Sequence, residues 1–322
     1  MTTYKEIFGK YVKNYSSDPS SDIEGQVWYN STTGVFKTNL NAGAVWAAGG
    51  NMGTARRGIG SEGTQTAALG FGGFATVNVN STEEYDGTSW TAGGNLSNAR
   101  NQLGGAGTQT AGLAFGGYDG TANSSSTEEY DGSAWTGGGN LGTARDSIVG
   151  AGTQTAALGF SGYTTAVSNA TEEYDGSAWT GGGNMSTART NVAGAGIQTA
   201  GLGFGGYISA GTPTTAATEE YDGSAWTGGG NLNTARRGMG GAGTQTLALG
   251  FGGLTTVVVA NTEEYNGSSW TTSTSLTTAR RFLGGCGTQT AALGFGGFTT
   301  ANTAATEEYT DPSFLTKTIT TS

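Results

Sequence analysis

The chain has 322 residues, of which 12% are charged and 61 are glycine, with a net charge of −10. That charge argues against free nucleic acid as a partner, nothing in the sequence approaches a transmembrane span, and the single cysteine, Cys286, cannot form an internal disulfide. Histidine is absent, which removes the commonest general base and the commonest metal ligand. Any catalysis would have to run on carboxylates, tyrosine or arginine, and no cofactor or metal site is expected.

The N-terminus, MTTYKEIFGKYVK, carries charge but no apolar core, so no secretory signal is expected. All the lysines except Lys317 lie in the first 40 residues: Lys5, Lys10, Lys13 and Lys37. The stretch EGQVWYNSTTGVFK predicts a β-hairpin turning at Ser-Thr-Thr-Gly. It resembles short N-terminal segments of tailed-phage virion proteins, especially marine ones, where such a segment precedes variable repeats. Residues 1–40 are therefore read as a docking segment that binds other virion proteins.

A repeat begins after residue 40. Thr-Glu-Glu-Tyr occurs six times, ending at Tyr85, Tyr130, Tyr174, Tyr221, Tyr265 and Tyr309. A tryptophan follows five residues after the first five: Trp90, Trp135, Trp179, Trp226 and Trp270. An Ala-Arg pair closes each unit at Arg56, Arg100, Arg145, Arg189, Arg236 or Arg280. A Gly-rich segment then leads to GTQT, as at 63–66, and to a run such as ALGFGG at 68–73. Each unit parses into four short strands, as in 58–62, 66–73, 81–85 and 89–94, with Asp86-Gly87 as a hairpin turn. Four strands per repeat of this length predict a propeller.

The order GFGG…EEYDGTSW…NLSNAR resembles the kelch repeat, over roughly residues 41–314. The resemblance implies an all-β propeller whose Gly-rich first strand is innermost, and the six copies of each motif make it a six-bladed β-propeller. The sixth unit has Phe314 where the others have tryptophan, while Trp46 precedes the first unit. Residues 44–50 are therefore expected to supply the outer strand of the last blade and close the ring, which also removes an exposed edge. A seven-bladed alternative would recruit GQVWYN and GVFKTN, but those bring no Gly-rich inner strand. Residues 315–322 are left as a C-terminal tail.

The repeated aromatics read as rings packed between blades. Glu83 and Glu84 point to opposite faces of their strand, so one glutamate of each pair is expected to be buried against the repeat's arginine, as an inter-blade structural ring. Asp86, Asp131, Asp175 and Asp222 read as turn residues in preference to calcium ligands, with Asn266 in the fifth unit. Cys286 aligns with Ala106, Ala151, Ala195 and Ala242 and reads as a small packed residue.

Strand alternation puts the GTQT and YDG turns on one face and the only variable loops on the other. That second face also carries the residue after each Ala-Arg: Arg57, Asn101, Asp146, Thr190, Arg237 and Arg281. These six are the candidate ligand-binding residues, with the three arginines on adjacent blades. The combined expectation is a non-enzymatic protein on the virion surface, in the tail or head, that binds a host glycan or surface protein. The alternatives are a bacterial or extracellular kelch-like scaffold and a carbohydrate-active enzyme. A sialidase is disfavoured because its Asp-box has Asp-x-Gly before the aromatic, whereas this chain has Asp-Gly-x-x-Trp.

Overall fold

The computed structural model describes residues 12–18, 26–40, 43–209, 214–311 and 315–318. Phe314 lies outside the described residues. All regular structure among them is β-strand, and the strands form seven four-stranded sheets. Contacts divide the chain into two compact units, Trp46–Tyr309 and a unit of Met1–Val45 with Thr310–Ser322.

Six sheets are copies of one antiparallel pattern. Sheet I runs Gly60–Thr64, Ala67–Phe71, Thr82–Tyr85 and Trp90–Ala92 in that order. Sheets II to VI repeat it, their first strands being Gly104–Thr108, Val149–Thr153, Ala193–Ile197, Gly240–Gly243 and Gly284–Gly287. The outer strand of sheet VI is Val45–Ala48, beside Thr306–Thr310. Each first strand packs against the first strand of the next sheet, from I through VI, and that of VI packs against that of I. The backbones come this close because glycine dominates these strands: a β-carbon on Gly150 would stand 2.0 Å from Gly105 O in the neighbouring sheet.

The count of sheets is seven where the repeat predicts six, and none of the sheets closes on itself. The seventh is not a copy of the repeat. Its strands are Lys13–Tyr15, Val27–Asn30, Val35–Leu40 and Leu315–Thr318, none of which contains glycine. Val27–Asn30 and Val35–Leu40 form the N-terminal hairpin, and Asn30 Oδ1 accepts the Thr32 and Thr33 amides in its turn. Lys13–Tyr15 pairs with it in parallel, and Leu315–Thr318, read from sequence as part of a tail, pairs antiparallel with Val35–Leu40. Asp18 holds this unit together by accepting hydrogen bonds from Trp28, Asn30 and Lys37.

The repeat's conserved polar positions join sheets. On the third strand of sheet I, Thr82 and Glu84 face sheet II while Glu83 and Tyr85 face sheet VI, as pleating requires. Trp135 Nε1 donates to Thr82 and the Tyr130 hydroxyl to Glu84. Across the other side, Tyr85 donates to Glu308 and Trp90 to Thr306. Gln65 of GTQT donates to the carbonyls of Ala292 and Tyr309. The same three devices recur at each seam. Trp46 takes its place in the series, with its ring 5.0 Å from Phe251, 5.1 Å from Tyr309, and Nε1 on Thr262.

Candidate functional site

The connectors from each outer strand to the next first strand carry two adjacent residues with opposite fates. The first, from the Ala-Arg pair, is buried. Arg56, Arg100, Arg145, Arg189, Arg236 and Arg280 are at most 1% exposed. They pair with Glu83, Glu128, Glu172, Glu219, Glu263 and Glu307 at 2.6–3.1 Å. Burial lowers the guanidinium pKa values, partly offset by these carboxylates. Arg145 also donates to the carbonyls of Ser161 and Ala170. The second carboxylate oxygen of Glu172 accepts the Gly142 amide of the same connector. Each pair therefore clamps a connector onto the sheet that follows it, at the seam with the preceding sheet. The first glutamate of each Glu-Glu takes the arginine; the second takes a tyrosine hydroxyl from the next sheet, as Glu129 does from Tyr174.

The second connector residue reaches the variable-loop face. Arg57, Asn101, Asp146, Thr190, Arg237 and Arg281 bridge to Phe74, Tyr118, Tyr163, Tyr207, Leu254 and Phe298 respectively. The backbone thus holds all six at one level. Their side chains diverge. Asn101 donates to Asn78, Asp146 accepts from Ser147, and Thr190 is buried. Burial raises the Asp146 pKa. The three arginines gather on one arc. Arg57 stacks on Phe74 and Phe298, both at 4.8 Å, and Arg281 on Phe298 at 5.2 Å. Arg237 lies 4.7 Å over Tyr207. Burial lowers the Arg281 pKa, and repulsion from Arg237 and Arg57 lowers it further. Among the described residues none of the three makes an ion pair with a carboxylate.

Inside this level lies a feature that sequence reasoning missed. The next residue in every connector has a left-handed backbone: Gly58, Gln102, Ser147, Asn191, Gly238 and Phe282, at φ of 51–62°. Their amides run head to tail, Gln102 to Gly58, Ser147 to Gln102, Gly238 to Asn191, Phe282 to Gly238, and Gly58 to Phe282. Only two of the six are glycine, so the usual sequence signal for this conformation is missing. Below the collar, Ile59, Leu103, Ile148, Val192, Met239 and Leu283 line a narrow space of about 140 Å³ among the first strands. Beside it, a cavity of about 330 Å³ is lined by Arg57, Gly58, Phe74, Asn101, Gln102, Tyr118 and Phe282.

A second missed residue is Glu62, which stands where the other first strands carry alanine or Cys286. It is 4% exposed; Oε2 accepts a long bond from Leu113 N, and Oε1 is buried without a hydrogen bond of ordinary geometry. Burial raises its pKa well above the usual range. In-register comparison of the six units reveals it. Burial, with Glu62 nearby, also pushes the Cys286 thiol up. On the opposite face, the turn aspartates accept hydrogen bonds from the backbone of their own turns; Asp131 Oδ1 takes the Ser133 and Ala134 amides. No group of three or more metal-ligating side chains occurs among the described residues.

The sequence matches no family model, and no curated protein is significantly similar to it. The kelch and phage resemblances rest on the motifs quoted above.

Proposed function

We propose that the six repeat sheets are the blades of a six-bladed, kelch-like β-propeller, and that the chain is a non-enzymatic binding module acting through its variable-loop face. The continuity of the seams supports the first part. Sheet VI meets sheet I through the same Tyr–Glu, Trp–Thr and glutamine hydrogen bonds as every other pair, with Val45–Ala48 as the closing strand.

The observation that carries the second part is the meeting of Arg57, Arg237 and Arg281 without a carboxylate, on the face where the repeats differ. Like charges gathered this way repel unless an anion joins them, and an arginine fork suits carboxylate and hydroxyl groups. The repeated Glu, Tyr and buried Arg side chains, the residue types a glycosidase would use, are tied to one another at the seams, which favours a binding role. In the virion reading, residues 1–40 dock to the particle and the variable face is displayed to a host-surface glycan.

The test is retention on an array of bacterial and animal glycans. The full chain is retained, and the variant with Arg57, Arg237 and Arg281 all changed to serine is not, while its melting temperature stays within a few degrees. Retention of the triple variant would place recognition elsewhere.

A further inference from the structure

We infer that the cavity of about 330 Å³ at Arg57, Phe74, Asn101, Gln102, Tyr118 and Phe282 is a subsite for one carboxylate-bearing sugar residue of an acidic saccharide. This rests on the reading of the variable-loop face as a binding face and adds the ligand class and the place.

Charge is the first argument. Arg57 gives Nη1 to Asn302 and stacks on two rings, so its guanidinium is held in place but not neutralised. Arg281 and Arg237 on the same arc add to the positive potential. The collar level is polarised: the counterpart of Arg57 two sheets on is Asp146. An anion is therefore drawn to one arc only.

The remaining lining matches a sugar. Phe74, Tyr118 and Phe282 offer apolar aromatic surface, and Gln102 offers an amide that both donates and accepts. The Gln102 side chain makes no hydrogen bond to any described residue. A hydroxylated ring with a carboxylate calls for this combination: aromatic surface, an amide and a guanidinium.

The backbone argues against an acidic peptide. Arg57 and Phe74 exchange both of their hydrogen bonds with each other, as do Asn101 and Tyr118. The amides of Gly58, Gln102 and Phe282 are committed to the collar. A peptide added as an extra strand needs free main-chain groups of its host, and the cavity offers it side chains alone. Phe282 is notable as well. A bulky residue at φ 53° is costly, yet its ring lies against Gly238, where a β-carbon would stand 2.9 Å from it. The aromatic wall of the cavity is thus fixed before any ligand arrives.

The experiment is calorimetric titration of the full chain with sialyllactose and with trigalacturonate, against lactose and a hexaglutamate peptide. At least one acidic saccharide binds, more weakly as salt rises. Arg57→Gln and Gln102→Ala each weaken it tenfold or more with an unchanged melting temperature. Lactose binding as tightly, hexaglutamate binding more tightly, or no binding by either acidic saccharide overturns the assignment. If the triple serine variant loses array retention while Gln102→Ala and Tyr118→Ala bind like the parent chain, the subsite is wrong and the face is right. If the triple variant is retained, both are wrong.

Discussion

Gly112 of sheet II makes room for Glu62 of sheet I: a β-carbon on Gly112 would stand 2.0 Å from Glu62 Oε1. The carboxyl enters the seam between two sheets where the other seams hold a methyl or a thiol. It accepts a long hydrogen bond from Leu113 N and meets no cation, and burial pushes its pKa well above the usual carboxylate range.

That burial sets a pH dependence. The native pKa lies above the ordinary 4.5, so the native state holds the proton more tightly than the unfolded chain. The stability linked to it is complete below about pH 4.5 and is lost as pH rises toward the native value. Glu62→Gln keeps the shape and removes the titration. Between pH 5 and 8 the melting temperature of the parent chain should fall relative to that of the variant. A constant difference would mean that burial does not raise the Glu62 pKa. Gly112→Ala should destabilise by about 1–3 kcal/mol through overpacking.

Arg145→Ala should cost about 3–5 kcal/mol, because it strands the carboxylate of Glu172 in a seam with no other cation. Urea unfolding measures this. The variant should behave like the parent chain on the glycan array, since Arg145 is fully buried. A loss of less than about 0.5 kcal/mol, within surface noise, would show that the clamp is solvated.

The seam tyrosines predict alkaline unfolding. Burial, and then the hydrogen bond to a glutamate, push Tyr85, Tyr130, Tyr174, Tyr221 and Tyr265 up to about 12 from 10.0. The neutral form is favoured in the native state, so their contribution is intact below pH 10 and lost between pH 10 and 12. Absorbance at the tyrosinate band should rise together with loss of β circular dichroism. Tyrosine ionisation at ordinary pKa in a folded chain would contradict the seam hydrogen bonds.

Deleting residues 1–40 should leave the cooperative melt of the Trp46–Tyr309 unit in place. Deleting residues 1–50 should lower and broaden it, because Trp46 leaves Phe251, Tyr309 and Thr262 exposed and the edge of Thr306–Thr310 unpaired. Scanning calorimetry of both truncations distinguishes these outcomes. Equal melts for the two would remove Val45–Ala48 from the role of closing strand.

Six copies of Thr-Glu-Glu-Tyr, Trp and Ala-Arg were enough to read four strands per unit, the packing role of the rings and the identity of the buried arginines. Each copy meets the same neighbours, so one local pattern repeated in register defines six equivalent environments. The turns were legible for the same reason: Asp-Gly satisfies its own backbone, whatever lies beyond. Outside the repeat the N-terminal hairpin was legible from its turn, and the strands that pair with it were not. The strand at Leu315–Thr318 has no pattern of its own and exists because the distant Val35–Leu40 offers an edge. The collar residues include Gln102, Asn191 and Phe282, whose left-handed backbone is imposed by bonds from adjacent sheets and not by their own preference. Which glutamate meets arginine depended on which side of the pleat faces the incoming connector. The raised pKa of Glu62 and the gathering of Arg57, Arg237 and Arg281 are likewise decided by tertiary structure, because burial and proximity between residues far apart in the chain are properties of the packed sheets.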